Sequence, residues 1–88
     1  MDEPLMLDAN AVAGELLELF GMDLTPMVHC CANCGNRGPI GTLRAWTYGP
    51  GVVLRCSICS EVVVRWARIG SDVRVDLRGA AYLRMAPP

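Results

Sequence analysis

The chain has 88 residues, a net charge of −1 and 52% hydrophobic residues, which is one small domain with Val, Leu and Ala enough for a thin core and too few large aromatics for a deep catalytic cleft. No apolar run reaches the roughly 18 residues of a membrane span, and an acidic start (Asp2, Glu3) followed by an apolar stretch broken by Glu15 and Glu18 argues against a signal peptide. The expected location is therefore the cytoplasm, where thiols stay reduced. Charge is split along the chain: residues 1–23 sum to −6, residues 24–88 to +5, and every base is an Arg.

In chain order, residues 1–7 read as a loose arm with Pro4. Asp8 is placed to cap a helix over about 9–20, because Val12, Ala13, Leu16, Leu17 and Phe20 recur at helical spacing and Gly21 suits the left-handed residue that ends it. So short a helix must dock its apolar stripe on something. Met27 to Cys30 leads extended into the first cysteine pair, and Gly35 to Pro39 is dense in turn residues. Ile40–Tyr48 and Val52–Arg55 read as a hairpin around Gly49-Pro50-Gly51. Glu61–Ile69 is the strongest strand, and Val73, Val75 and Leu77 alternate with Arg74, Asp76 and Arg78 as in a half-exposed strand. The fold class is α+β, an N-terminal amphipathic helix followed by an antiparallel β-module over about 27–79, within one domain spanning 8–88.

Cys31-Ala32-Asn33-Cys34 and Cys56-Ser57-Ile58-Cys59 carry the chemistry. Each Cys-x-x-Cys turn offers two corners of a tetrahedron, and the intervening residues 35–55 are enough for a hairpin out and back. The pattern predicts one Zn²⁺ held by Cys31, Cys34, Cys56 and Cys59. An iron–sulfur cluster could use the same thiolates, and a thiol–disulfide pair would need a βαβ context that this chain lacks. With four sulfur corners no position is left for water, so the ion is structural and its binding energy is folding energy. His29 and Cys30, just before the first pair, are alternative ligands on paper; as the end of an entering strand they read more simply as interior residues.

Two further surfaces follow from the pattern. With Gly49-Pro50-Gly51 as the loop, Trp46 faces Leu54 and shares the apolar face, and Arg55 pairs with Ala45 on the other; a one-residue slip would reverse this. Trp66, alternating with Val62 and Val64, is expected in the core. Arg44, Trp46, Tyr48 and Arg55 of the central hairpin are the residue types that stack and clamp a nucleic-acid single strand, but in this register Trp46 and Tyr48 read as core. Arg65, Arg68, Arg74, Arg78 and Arg84 form either an ordinary solvated face, partly paired with the acidic helix, or a patch for phosphate or an acidic protein. There is no Ser-His-Asp set, phosphate loop or dinucleotide fingerprint, and no enzyme is expected.

LDANAVAGELLELFG over residues 7–21, Cys31-x-x-Cys34-Gly35, GVVLRCSIC over 51–59 and Asp76-Leu77-Arg78-Gly79 together resemble a family of small actinobacterial zinc-ribbon-type proteins of unknown function. The resemblance spans about residues 5–83 and implies a fold and a metal, without an activity. This chain departs from a usual zinc knuckle in having Ser57 after Cys56 and Ser60 after Cys59. The expected function is a small zinc-stapled binding or adaptor protein with a protein partner; a nucleic-acid-binding ribbon using the Arg face, or a thiol redox or metal-sensing switch, are the alternatives. No membrane association is expected.

Overall fold

The computed structural model describes residues 6–85. A strand β1 (Met6–Asp8) opens it, followed by a 3₁₀ turn over Ala9–Val12 and the helix α1 (Ala13–Phe20). Seven strands follow: β2 (Val28–Cys31), β3 (Arg37–Pro39), β4 (Arg44–Tyr48), β5 (Gly51–Arg55), β6 (Val62–Ile69), β7 (Asp72–Asp76) and β8 (Ala80–Arg84). They form an antiparallel five-stranded sheet ordered β1-β4-β5-β6-β7 and an antiparallel three-stranded sheet ordered β3-β2-β8.

The helix begins and ends as its sequence dictates. The Asp8 carboxylate accepts the Asn10 N–H at 3.1 Å, and Gly21, in the left-handed region at φ 73°, donates its N–H to the Leu17 carbonyl at 2.8 Å. Only its first turn differs from expectation, being 3₁₀. Val12 and Leu16 are buried and Leu19 and Phe20 half-buried, whereas Leu17, expected on the apolar stripe, is 50% exposed.

That stripe rests on one face of the five-stranded sheet, where Ala45, Val52, Leu54, Val64 and Trp66 are buried. Glu15 accepts the Trp66 indole N–H at 3.2 Å and Glu18 lies 3.8 Å from Arg68, so the acidic helix does lie across a basic strand. Both Glu18 and Arg68 are well exposed, and such a pair stabilises little. Leu24, Met27, Ile40, Leu43 and Val63 continue the same core toward the smaller sheet. No helix among the described residues is long and apolar enough to cross a membrane.

Four sequence expectations change. Of the arm expected at 1–7, residues 1–5 lie outside the described residues, and Met6 and Leu7 pair with Trp46 and Ala45 of β4. Arg37–Pro39, read as turn, is an edge strand, and Ile40–Thr42, read as strand, is a 3₁₀ turn. The β-module does not stop near 79, because Ala80–Arg84 pairs along β2. Finally, the central hairpin turns on two residues, Gly49 and Pro50. Tyr48 pairs with Gly51, Trp46 with Val53 and Ala45 with Leu54, one residue out of the expected register. Trp46 therefore leaves the core face.

Candidate metal centre and the outer sheet face

Each cysteine pair sits where a strand ends and the chain reverses, one at the end of each sheet's inner strand. Cys31 is the last residue of β2, and Cys56 directly follows β5. A ladder irregularity precedes both, between Cys30 and Cys31 in one case and Leu54 and Arg55 in the other, the usual device for re-aiming a side chain at a site.

The two knuckles repeat one hydrogen-bond plan. Cys31 N–H donates to the Asn36 carbonyl at 2.9 Å and Gly35 N–H to the Cys31 carbonyl at 2.9 Å; Cys56 N–H donates to the Glu61 carbonyl at 2.9 Å and Ser60 N–H to the Cys56 carbonyl at 3.0 Å. Gly35 and Ser60 both hold the left-handed conformation this closure needs, at φ 78° and 68°. The departure from Gly at position 60 thus leaves the turn intact.

The knuckles bring the four Sγ atoms within 4.8 Å of one another, with Cys31–Cys59 at 3.6 Å and Cys34–Cys56 at 3.7 Å. A tetrahedral ion with metal–sulfur bonds near 2.3 Å sets its sulfurs about 3.8 Å apart, whereas a disulfide needs about 2.05 Å. The donor set fits a thiolate-bound metal ion. Cys31 and Cys56 are buried in the core, Cys59 is half-buried and Cys34 exposed, so the site is open to exchange from one side.

Backbone and amide donors converge on these sulfurs. The Ile58 N–H points to Cys56 Sγ at 3.4 Å. The Asn33 side chain first, and then the Glu61 N–H, bring the Cys59 thiol down to about 6. Cys34 is drawn down by the Asn36 N–H, but burial and the neighbouring sulfurs of Cys56, Cys59 and Cys31 outweigh it, and its thiol is pushed up to about 12. One sulfur ionises easily and the last proton is held hard, as expected of thiols crowded into one volume. A dication placed among them would let all four ionise together.

The neighbours named as spare ligands lie elsewhere. His29 is wholly buried with neither ring nitrogen at hydrogen-bonding geometry, and burial, the dominant effect, pushes its pKa down against a smaller opposing effect of the Gly38 and Pro39 backbone. Cys30 is half-buried on the other face of β2, its Sγ 3.8 Å from the Gly35 carbonyl and 3.9 Å from that of Cys31.

Sequence reasoning missed the role of the 76–79 turn. Asp76 accepts the Arg78 N–H at 2.9 Å, the Leu77 carbonyl takes the Ala80 N–H at 3.0 Å, and the Gly79 carbonyl takes the Ala32 N–H of the first knuckle at 2.9 Å. A Cβ at Gly79 would run into the Val62 carbonyl, so only Gly lets this turn lie against the start of β6. The Asp-Leu-Arg-Gly stretch is the clasp between knuckle and sheet; in the sequence Gly79 reads only as the end of the preceding strand.

The arginines divide between faces. Strand alternation and the observed pairing put Arg44, Arg55, Arg65 and Arg74 on the outer face of the five-stranded sheet together with Trp46, Val53, Ala67 and Ile69. Arg78 follows at its edge. Arg68 is on the helix side and Arg84 on the smaller sheet. The Arg55 guanidinium lies 5.5 Å over the Trp46 ring and donates at 3.0 Å to the Ser60 carbonyl, linking the second knuckle to this face.

The chain matches, over residues 2–88, a family of unknown function, DUF6510, and belongs to it. No curated protein and no solved structure matches the chain.

Proposed function

We propose that this member of a family without an assigned activity is a binding protein rather than an enzyme, built as a zinc-ribbon-like module and working in a reducing compartment such as the cytoplasm. Cys31, Cys34, Cys56 and Cys59 hold one structural Zn²⁺, and the outer face of the five-stranded sheet meets a macromolecular partner. The observation that carries the reading is the set of four sulfurs within 4.8 Å. Sulfur at every corner leaves no coordination position for a reacting water, which is how structural zinc differs from catalytic zinc. His29, the one His of the sequence, is buried in β2 with neither ring nitrogen hydrogen-bonded among the described residues.

Metal analysis of the purified chain tests this directly. The expected result is one zinc per chain, with circular dichroism losing its β signal when a strong chelator removes the ion. Cys34→Ser, at an exposed corner, should lower the zinc content without the large core defect that Cys31→Ser or Cys56→Ser would add. A zinc content near zero in a folded chain sinks the reading.

A further inference from the structure

The outer face of the five-stranded sheet holds an open groove of about 830 Å³. Its shape comes from side-chain size. Across β5 and β6, Gly51 opposes Ala67, so that row of the sheet is low, while Trp46–Val53–Arg65 on one side and Ile69 on the other stand higher. Trp46 is half-buried and takes no part in the core cluster, so its ring is surface presented to the groove.

The charge around this hollow is in excess basic, although Asp76 already pairs with Arg65 at 3.1 Å and with Arg78 at 2.7 Å. Arg44, Arg55, Arg65 and Arg74 share the face and Arg78 closes its end, against the carboxylates of Asp72 and Asp76. Arg74 is exposed and, among the described residues, has no hydrogen bond or ion pair. Glu15 and Glu18 are on the helix, behind the sheet.

We infer that this groove binds a single strand of nucleic acid, a base stacking against Trp46 and the Arg55 guanidinium that lies over it, while Arg74 takes one phosphate and Arg65 and Arg78 use the N–H groups that Asp76 leaves over for others. The inference rests on the reading of this face as the working surface and gives its partner a chemical class. A ligand that uses both halves of the groove must carry flat apolar rings and regularly spaced anions on one chain. A single strand does so, because every base has a face to stack and every linkage a charge. An acidic peptide would meet the arginines and leave the Trp46 floor idle, and a duplex keeps its base faces stacked inside.

The test uses the full zinc-loaded chain and a labelled oligothymidine of about 12 nucleotides, within the length such sheet surfaces cover, followed by fluorescence anisotropy across a salt series. Saturable binding is expected, with affinity falling with salt at a log–log slope of about −2 for three phosphates. Trp46→Ala should weaken it about ten-fold, the loss of one stacked base. Arg74→Ala, at an unpaired exposed side chain, should reduce the slope by about 0.7. Zinc content and circular dichroism of both variants should equal those of the parent, which separates a lost contact from a lost fold. The inference is overturned if the folded, zinc-loaded chain does not bind at the lowest salt or if Trp46→Ala binds as the parent does. It is also overturned if thymidine monophosphate or a poly-glutamate peptide binds as tightly as the strand, which would mark a small-ligand pocket or an acidic protein partner. All of these leave the structural-zinc reading standing; a folded chain without zinc would strike that reading and not the groove.

Discussion

Ser60 occupies the position where the first knuckle has Gly35, and both residues hold φ near 70°. The N–H of each closes on the carbonyl of the first cysteine in its pair, so ligand geometry demands the left-handed turn whatever the side chain. For an L-residue that conformation costs about 1 kcal/mol, and the Ser60 hydroxyl makes no hydrogen bond among the described residues to offset it. Ser60→Gly should therefore raise stability by about 0.5–1 kcal/mol and Gly35→Ser lower it by about 1 kcal/mol, read from urea midpoints at fixed excess zinc. A lower midpoint for Ser60→Gly would mean the hydroxyl matters more than the turn. At this same scale the sequence was legible for the ligands and ambiguous for their neighbours. Four cysteines in two x-x spacings identify themselves, but proximity in sequence is not proximity in space. Alternate residues of a strand face opposite ways, which turns Cys30 away from Cys31, and His29 sits two residues back, where the strand has already entered the core.

Among elements, the hairpin β4–β5 shows why half of the surface could not be read in advance. Gly49-Pro50-Gly51 offers three turn-forming residues. The chain uses two of them, with Gly49 at φ 58°, and spends Gly51 as the first residue of β5. Since side chains alternate with period two, that single residue moved Trp46 from the expected core to the outer face. Helix α1 and strand β6 were legible because periodicity over eight or more residues outvotes a local ambiguity; β3 is only three residues of turn-like composition, and β8 pairs with β2, about fifty residues back. At the end of β7 alternation was legible but not the ion pairs. Asp76 accepts from Arg78 at 2.7 Å and pairs with Arg65 at 3.1 Å across the β6–β7 ladder. Arg78 above all, then its N–H and Arg65, hold this carboxyl well below the usual carboxylate range. A carboxyl whose pKa is lower folded than unfolded contributes stability that is complete above the unfolded value, near 4, and is lost as pH falls through it toward the folded one. Asp76→Asn should thus lower the thermal midpoint by the same amount from pH 8 to pH 5, and the gap to wild type should narrow only below about pH 4. A gap that closes between pH 8 and pH 5 would assign the effect to another group.

For the molecule as a whole, the four-cysteine site is a joint between two sheets of unequal independence. Cys31 and Cys34 extend from the three-stranded sheet, and Cys56 and Cys59 from the five-stranded one. The larger sheet has its own support, with α1 laid on Val52, Leu54, Val64 and Trp66. The smaller sheet is three strands of three to five residues, too little to stand alone in water, and it reaches the rest through the knuckle, the Gly79 clasp and a few core side chains. Removing the ion from the proposed site would leave crowded thiols, among which Cys34 holds its proton hardest, and relax the knuckles that order both joints. Amide exchange during stepwise chelation should then rise first over 28–37 and 80–84, while β5 and β6 keep their protection longest. The second knuckle carries the change outward, because the Ser60 carbonyl anchors the Arg55 guanidinium over Trp46. Trp46 fluorescence should therefore shift in step with metal loss, before Trp66, buried under the helix, reports unfolding; single-tryptophan variants separate the two signals. Simultaneous loss of protection in both sheets would mean that the ion holds one cooperative unit. Retained protection in β2 and β8 without the ion would mean that the clasp alone holds the sheets together.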